Sequence, residues 1–325
     1  MADTQIAESS LEKAFAALLR GTAEELDAHL NTVAPAANLA GTKANLHCHH
    51  LHLDGNGRPK VSALVSALVS RASEYAIPKL EWDRAKAKDA ANNNSVATIE
   101  LHRRAVRLFV ESDTSGEGGE LLLYCLIQSK LRVPQLLCKM SLKTNTNMHV
   151  HGADGIHAKI DPESGKLAFY WAESKLHAEI GNAISECLDS ILPFLHDDPK
   201  DGKPPRRQRD LELVRQDLSK LSDEVLETAL LNFLDPDHAD YNKVHFRGAC
   251  LIGFDCKKYP DQPNALTAEA LAAAVKAELE AQWKKKVADK ITDRSPLETF
   301  DLEVFLVPMP DVETFRKEFR AALKA

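Results

Sequence analysis

Cysteine is scarce and scattered in this sequence, which has six cysteines among 325 residues and no Cys-x-x-Cys pair. Cysteines at short, regular spacing are typical of disulfide-stapled secreted domains and of zinc ribbons. Neither class is expected here. The default location for such a chain is a reducing cytoplasm.

Long apolar runs are also lacking. The longest uninterrupted one, Leu121 to Ile127, is far shorter than the ~20 apolar residues that a membrane span needs. We therefore do not expect a membrane protein. Basic charge is in the minority, because 41 Lys and Arg face 48 Asp and Glu and give a net charge of −7. This balance excludes a wholly basic protein that coats nucleic acid, but it does not exclude a local basic groove.

Two common catalytic motifs are absent from the sequence. No Gly-x-x-x-x-Gly-Lys-Ser/Thr loop occurs, so the chain does not hydrolyse ATP through a P-loop. Any ATP dependence must therefore come from a partner. No Gly-x-Ser-x-Gly elbow occurs either, which leaves a Ser-His-Asp hydrolase unsupported.

The hydrophobic patterns that are present alternate between helical and strand-like periods. They predict helices at about 11–30, 118–131, 177–195, 209–234, 267–290 and 311–324, and strands at about 45–54, 155–160, 166–174, 243–255 and 299–307. Helical patterns also dominate 61–110, with interruptions near Pro78 and Asn92–Asn94. This order predicts an α/β fold with a mixed sheet flanked by helices. The stretch 197–208, rich in Pro, Gly and charge, is the clearest linker. We expect an N-terminal segment at 1–58, a core at 59–196 and a C-terminal α/β part at 209–325 that packs on the core.

Acidic residues and a lysine lie at the ends of the two central strands of this pattern. Asp154 opens the first strand, Glu173 and Lys175 end the second, and the turn-forming residues 161–165 between them predict a hairpin. Residues two apart on a strand share a face, so Glu173 and Lys175 point the same way. The hairpin is expected to bring Asp154 beside them, and Gly152 leaves room for a ligand to approach the backbone.

This arrangement is what a metal-dependent phosphodiesterase needs. Two carboxylates hold Mg²⁺, a hard cation that prefers oxygen ligands. The metal polarises a phosphoryl oxygen and lowers the pKa of a bound water, and a lysine stabilises charge that develops on the phosphate. Another carboxylate comes from Glu117 or Glu120, which open a predicted helix at i, i+3 spacing. The alternative is an exposed ion pair between Glu173 and Lys175, because such pairs are common.

These residues resemble the PD-(D/E)xK nuclease superfamily, in which a helix Glu is followed by an Asp and then by a Glu-x-Lys pair. Ala153 stands where that superfamily has its proline. Three motifs more closely resemble the HamA family: Ser-Gly-Glu-Gly-Gly-Glu-Leu-Leu-Leu-Tyr at 115–124, His-Gly-Ala-Asp-Gly-Ile-His at 151–157 and Trp-Ala-Glu-Ser-Lys-Leu at 171–176. The similarity is strongest over about 110–195 and extends over about 60–325.

The resemblance implies a PD-(D/E)xK nuclease core and the role of nuclease subunit in the Hachiman anti-phage defence system, related to the AbpA proteins. It implies a Mg²⁺-dependent DNase, with Mn²⁺ as an alternative metal, that hydrolyses double- or single-stranded DNA in the cytoplasm. Control is expected from a superfamily 2 helicase subunit, HamB. The alternative function is a non-catalytic subunit that binds and restrains a helicase.

The candidate site residues follow from these motifs. The expected catalytic residues are Asp154, Glu173, Lys175 and Glu120, with Glu117 as the alternative helix carboxylate. We favour Glu120 because it lies inside the apolar helix, whereas Glu117 precedes two glycines and could be an N-terminal capping charge. The expected metal ligands are Asp154, Glu173 and Glu120. Candidates for DNA-phosphate contacts are Lys139, Lys143 and His151.

The main competing signal is His-Cys-His-His-Leu-His at 47–52. His-x-His arrays on a strand bind zinc in some hydrolases. No later His and Asp set with a hydrolase pattern follows in this chain. We therefore interpret the segment as a polar strand that packs against a partner or a neighbouring helix.

Overall fold

The computed structural model describes residues 2–109, 116–142, 152–196, 206–218 and 223–325. Within these ranges the strands are β1 (Leu30–Asn38), β2 (Ala44–Leu51), β3 (Gln135–Leu137), β4 (Gly155–Ile160), β5 (Leu167–His177), β6 (Val244–Asp255) and β7 (Leu302–Met309). The α-helices are α1 (Ala2–Leu18), α2 (Val61–Ser70), α3 (Ala72–Ala76), α4 (Lys79–Asn92), α5 (Val96–Val106), α6 (Glu117–Leu126), α7 (Ile180–Leu195), α8 (Arg206–Asp217), α9 (Glu224–Leu234), α10 (Ala268–Glu278), α11 (Lys284–Thr292) and α12 (Val312–Leu323). None of the described helices is long and apolar enough to cross a membrane.

These strands form one mixed sheet in the order β1-β2-β7-β6-β5-β4-β3. The four strands β2, β7, β6 and β5 run parallel to one another. At one edge of the sheet β1 is antiparallel to β2, and at the other edge β4 is antiparallel to both β5 and β3. Helices lie on both faces, as parallel strands that are buried on both sides require. The predicted α/β fold with a mixed sheet flanked by helices is confirmed.

The core of the sheet is the apolar run of β5, which has its neighbours β4 and β6 on either side. Its side chains from Leu167 to Ala172 are all buried. Cys187 of α7 interacts with Cys250, the β6 residue in register with Glu173, so α7 covers the face that carries Glu173. A Cβ on Gly119 of α6 would lie 3.3 Å from the Ser174 side chain, so α6 covers the opposite face.

The N-terminal, central and C-terminal segments all contribute strands to this sheet. Strands β6 and β7, from the predicted C-terminal part, lie between β2 and β5. The C-terminal part therefore supplies central strands as well as helices that pack outside the sheet. The boundaries at 58, 196 and 208 remain predictions.

The predicted helix at 11–30 is wrong in its second half. Helix α1 ends at Leu18, Gly21 takes a left-handed conformation (φ 77°), and β1 begins at Leu30. Leu26 and Leu30 suggested a helix because their spacing is four residues, and the Leu30 N–H does donate to the Leu26 carbonyl (2.8 Å). That single turn does not continue, because Leu30 pairs with Leu51 of β2 in the sheet.

The predicted helix at 209–234 is two helices within the described residues. Helix α8 ends at Asp217 and α9 begins at Glu224, where the Asp223 side chain accepts hydrogen bonds from the first turn. An Asp at an N-cap satisfies amide groups that the helix leaves free, which is a strong start signal. The patterns also missed β1 and β3; β3 is only three residues long and follows Pro134.

Candidate active site

The β4–β5 hairpin brings Asp154 and Glu173 to the same end of the sheet. Gly155 pairs with Ala172 in the antiparallel register, and the Asp154 N–H donates to the Ala172 carbonyl (2.9 Å). Asp154 therefore lies directly beside Glu173, which follows Ala172 in β5. Local pairing alone makes this juxtaposition, as the turn at 161–165 predicted.

Ser174 holds the Asp154 carboxylate. Its backbone N–H and its hydroxyl both donate to Asp154 Oδ2, at 2.8 and 2.9 Å. These two bonds fix the orientation of the carboxylate through one of its oxygens. Sequence reasoning missed Ser174, although it is the middle residue of the Glu-x-Lys motif, because a strand residue between two site residues is expected to point away from them.

Glu173 is a buried carboxylate, with 4% of its surface exposed. Burial and, after it, the negative charge of Asp154 raise the pKa of Glu173 to about 8, although Lys175 and Lys139 act in the opposite direction. This shift means that Asp154 and Glu173 lie close enough to repel each other. A carboxylate pair that is not fully compensated by cations is a typical feature of functional sites.

Lys175 supplies the nearest positive charge. Its Nζ lies 3.3 Å from Glu173 Oε2, and about a quarter of the side chain is exposed. Burial lowers the pKa of Lys175, but Asp154 and Glu173 together outweigh burial and raise it. Lys175 is therefore a protonated, partly accessible cation beside both carboxylates.

Glu120 reaches this group of residues through Tyr75. The Tyr75 hydroxyl donates to Glu120 Oε2 (2.9 Å) and also lies 3.4 Å from the Asp154 backbone carbonyl. Burial, followed by the charges of Glu120 and Asp154, raises the pKa of Tyr75 well above its usual range, so its hydroxyl stays a neutral donor. No sequence signal identified Tyr75, which lies in the short helix α3.

Glu117 lies at the other side of the α6 N-terminus. Its side chain is buried and, with Arg316, Arg320 and Phe319 of α12, lines a small cavity. The Tyr75 hydroxyl contacts both Glu120 and the Asp154 backbone carbonyl. Glu120 stays the predicted helix carboxylate of the site, with Glu117 as the alternative.

The carboxylate oxygens at this site suit a hard divalent cation that takes few ligands from the protein and completes its shell with water. Among the described residues, no group of three or more His, Cys, Asp and Glu side chains is arranged to hold a metal ion. The three-carboxylate set predicted from the sequence is therefore not assembled as one cluster. Asp154 and Glu173 form a pair, and Mg²⁺ is commonly bound through one or two carboxylates with water completing its shell. A cation there would also relieve the repulsion that raises the pKa of Glu173.

The predicted phosphate-binding residues have different outcomes. Lys139 is 7% exposed, and its Nζ donates to the Ala153 carbonyl and to Asp210 Oδ2. A phosphate contact by Lys139 stays a prediction, and it would require this ion pair to open. Lys143 and His151 lie outside the described residues.

The histidines at 47–52 do not converge on one point. His47 Nε2 lies 2.6 Å from Glu303 Oε2, His49 contacts the Thr32 hydroxyl (3.2 Å), and His50 contacts the Leu51 carbonyl (2.9 Å). These three imidazoles each have a partner on a sheet strand, and His52 Nε2 contacts the Asp27 carbonyl (3.0 Å). The segment is a polar strand, as predicted, but its histidines contact neighbouring strands and a turn rather than a helix.

Comparison with known proteins extends the resemblance found in the motifs. A family model for HamA matches residues 27–323, a range that includes Asp154, Glu173, Lys175 and both helix glutamates. None of the curated proteins matches the chain. The family match covers nearly the whole chain and begins well before the region in which the motifs were recognised. This chain therefore belongs to the HamA family and is a component of the Hachiman anti-phage defence system.

Proposed function

We propose that this chain is a Mg²⁺-dependent DNase, with Mn²⁺ as an alternative metal, and that it is the effector of the defence system. The observation that carries the proposal is the pairing of Asp154 with Glu173 beside a protonated Lys175 at one end of the β4–β5 hairpin. Two carboxylates and a lysine in this order are the set that metal-assisted phosphodiester hydrolysis requires.

Each residue of the proposed site would have its own role in hydrolysis. Asp154, oriented by Ser174, and Glu173 would hold the cation, and Glu120 would join them through bound water from its position beside Tyr75. When bound, Mg²⁺ would supply Lewis-acid activation of the phosphate and of a water. Lys175 would place a fixed positive charge where negative charge develops on the phosphate.

Restraint of this activity would come from a partner. The sequence has no P-loop, so an ATP-dependent step belongs to another subunit, for which the family suggests a HamB-like helicase. The net charge of −7 supports this reading, because an acidic nuclease binds DNA weakly alone and depends on delivery. Such a complex would act on DNA in the cytoplasm.

The second candidate is a non-catalytic subunit that binds and restrains the helicase. One observation favours it: Lys175 and Glu173 already form an ion pair, and the described residues contain no three-ligand metal cluster. In that case the Asp154–Glu173 pair would be a structural relic with no metal affinity.

A supercoiled-plasmid assay separates the two candidates. The chain is incubated with plasmid in Mg²⁺ and in EDTA, each with and without the helicase subunit, trigger DNA and ATP. We expect cleavage that needs Mg²⁺ and that is low until the helicase is engaged. Cleavage that persists in EDTA would contradict the metal mechanism. Intact plasmid under every condition would support the non-catalytic subunit.

A further inference from the structure

A buried ion pair between Lys139 and Asp210 lies beside the backbone of Ala153, the residue before Asp154. Asp210 of α8 has no exposed surface, and Lys139 is 7% exposed. The Lys139 Nζ lies 3.2 Å from Asp210 Oδ2. Burying two charges costs solvation, and an apolar pair of the same volume often stabilises a fold equally well. Stability alone therefore does not explain why two charges are buried at this position.

The hydrogen bonds of the pair show what an apolar replacement could not do. Asp210 Oδ2 accepts from the Ala153 N–H (3.1 Å), and Lys139 Nζ donates to the Ala153 carbonyl. Both polar atoms of the residue immediately before Asp154 are thus held by charged side chains. Bonds to charged groups are stronger than neutral ones, so they restrict the backbone at this point.

The backbone of Gly152 is shaped around the same pair. Gly152 has φ 128°, and a Cβ there would lie 2.3 Å from Asp210 Oδ1 and 2.4 Å from Lys139 Nζ. The glycine was expected to make room for a ligand, but the structure fills that room with the ion pair. A residue with a side chain would push both charges away from Ala153.

Helix α8 is held on the core by several contacts. Val214 is buried, Leu211 and Leu213 pack against the core, and the Arg207 guanidinium lies over the Phe246 ring. Asp210 adds the hydrogen bond to the Ala153 peptide, and its Oδ1 has no hydrogen-bond partner within the part of the chain that the structure describes. The position of α8 and the backbone geometry of residues 152–154 are therefore coupled through this carboxylate.

We propose that Asp210, through Lys139 and the Ala153 peptide, is a positioning residue for Asp154, so that docking of α8 sets the affinity of the site for its metal. The metal part of this inference rests on the proposed nuclease function. The bracing of the loop does not, because it concerns the backbone of residues 152–154 alone. Groups that orient a metal ligand from behind typically affect metal affinity by about 10- to 100-fold.

The test uses the full chain with three variants. Asp210→Asn weakens the pair but keeps the volume. The double variant Lys139→Met with Asp210→Leu removes both charges, so that no unpaired charge stays buried. Asp161→Asn is the matched control, because it weakens an ion pair with Arg247 at the far end of the same hairpin. The readouts are thermal unfolding, hydrogen exchange in peptides covering 152–160, and calorimetric titration with Mg²⁺ alone.

In Asp210→Asn we expect exchange at the 152–154 amides to rise about tenfold and Mg²⁺ affinity to fall about 10- to 100-fold. The double variant is expected to recover thermal stability without recovering either effect, and the control should change neither. If Asp210→Asn fails to fold, the double variant decides. Unchanged exchange in these variants would overturn the bracing, whether or not the chain is a nuclease. Faster exchange with unchanged Mg²⁺ affinity would overturn the positioning role, and a wild-type chain without Mg²⁺ affinity would contradict the proposed function separately.

Discussion

Both ends of the β4–β5 hairpin carry an acidic residue beside a basic one, but the pKa of the acidic residue is lowered at one end and raised at the other. At the turn end, Asp161 accepts a hydrogen bond from Arg247 (2.5 Å) and others from its own turn. Burial acts to raise the pKa of Asp161, but these bonds outweigh burial and lower it. At the open end, burial and the neighbouring Asp154 raise the pKa of Glu173 to about 8.

The difference lies in burial and in the hydrogen bonds that each carboxylate accepts. Asp161 accepts from the Arg247 guanidinium and from its own turn, and these bonds outweigh its burial. Glu173 is more deeply buried and lies beside Asp154, and Lys175 and Lys139 do not offset these two effects. A fold gains stability from the first arrangement and loses some through the second. Charge that is left uncompensated in this way is typical of a site that binds a further cation.

The largest expected effect removes the carboxylates at the open end. Asp154→Ala and Glu173→Ala are each expected to lower Mg²⁺-dependent plasmid cleavage more than about 100-fold, because each loses a metal ligand. The variants should stay folded, because Asp154 lies just before β4 and the Glu173 carboxylate is destabilised by burial and by Asp154, so its removal relieves an unfavourable group. Circular dichroism checks the fold, and Glu163→Gln, an exposed residue in the turn of the same hairpin, is the control. Unchanged cleavage in either alanine variant would mean that this carboxylate at the open end, like Asp161 at the turn end, is not needed for hydrolysis.

Lys175→Ala sharpens the comparison by separating binding from turnover. Lysine is not a Mg²⁺ ligand, so Mg²⁺ affinity should be maintained or improved while kcat falls about 100-fold, as for the loss of one donor to a developing oxyanion. Calorimetry and a cleavage time course measure the two quantities. Near wild-type turnover would mean that Lys175 serves only as the ion-pair partner of Glu173.

Tyr75→Phe tests whether Glu120 contributes to the metal site proposed at the open end of the hairpin. Loss of the hydroxyl removes the Tyr75 hydrogen bond to the Glu120 carboxylate, and Mg²⁺ affinity is expected to fall by about tenfold. Tyr124→Phe is a matched control, because the Tyr124 hydroxyl is buried without a hydrogen-bond partner among the described residues. Equal Mg²⁺ affinity in the two variants would exclude Glu120 from the metal site.

The raised pKa of Glu173 has a consequence for stability in the absence of metal. The folded chain holds a proton on Glu173 that the unfolded chain releases above about pH 4.5, so stability falls as pH rises from there to about 8. Glu173→Gln removes this dependence. Its unfolding temperature in EDTA should therefore exceed that of the wild type by an amount that grows across this range, and Mg²⁺ should reverse the order. A difference independent of pH would contradict the shifted pKa.

Asp161→Asn gives the smallest expected change and the opposite pH dependence. A carboxylate whose pKa is lowered on folding contributes stability at neutral pH and loses it as pH falls through that lowered value. The variant should be less stable by ~1 kcal/mol at pH 7, and the difference should shrink below pH 3.8, the ordinary value for Asp. Denaturant unfolding at several pH values measures this. Plasmid cleavage should be unaffected.

The hairpin is the part of the site that local sequence determined. The turn at 161–165 and the apolar run of β5 specify an antiparallel pair, and the register then places Asp154 beside Glu173 with no information from elsewhere in the chain. The family motifs lie on these same elements. This is why the juxtaposition of Asp154 and Glu173 could be predicted before the fold was known.

Only the tertiary structure decided what surrounds the hairpin. Parallel pairing of β5 with β6 joins residues about 77 positions apart, and no local spacing encodes such a contact. The same holds for Tyr75, which reaches Glu120 from α3, and for Asp210, which reaches Ala153 from the start of the predicted C-terminal part. The sequence alone determined which carboxylates meet, because neighbouring strands pair by local rules. Packing between distant elements decided how those carboxylates are held, because burial and hydrogen bonding depend on the assembled core.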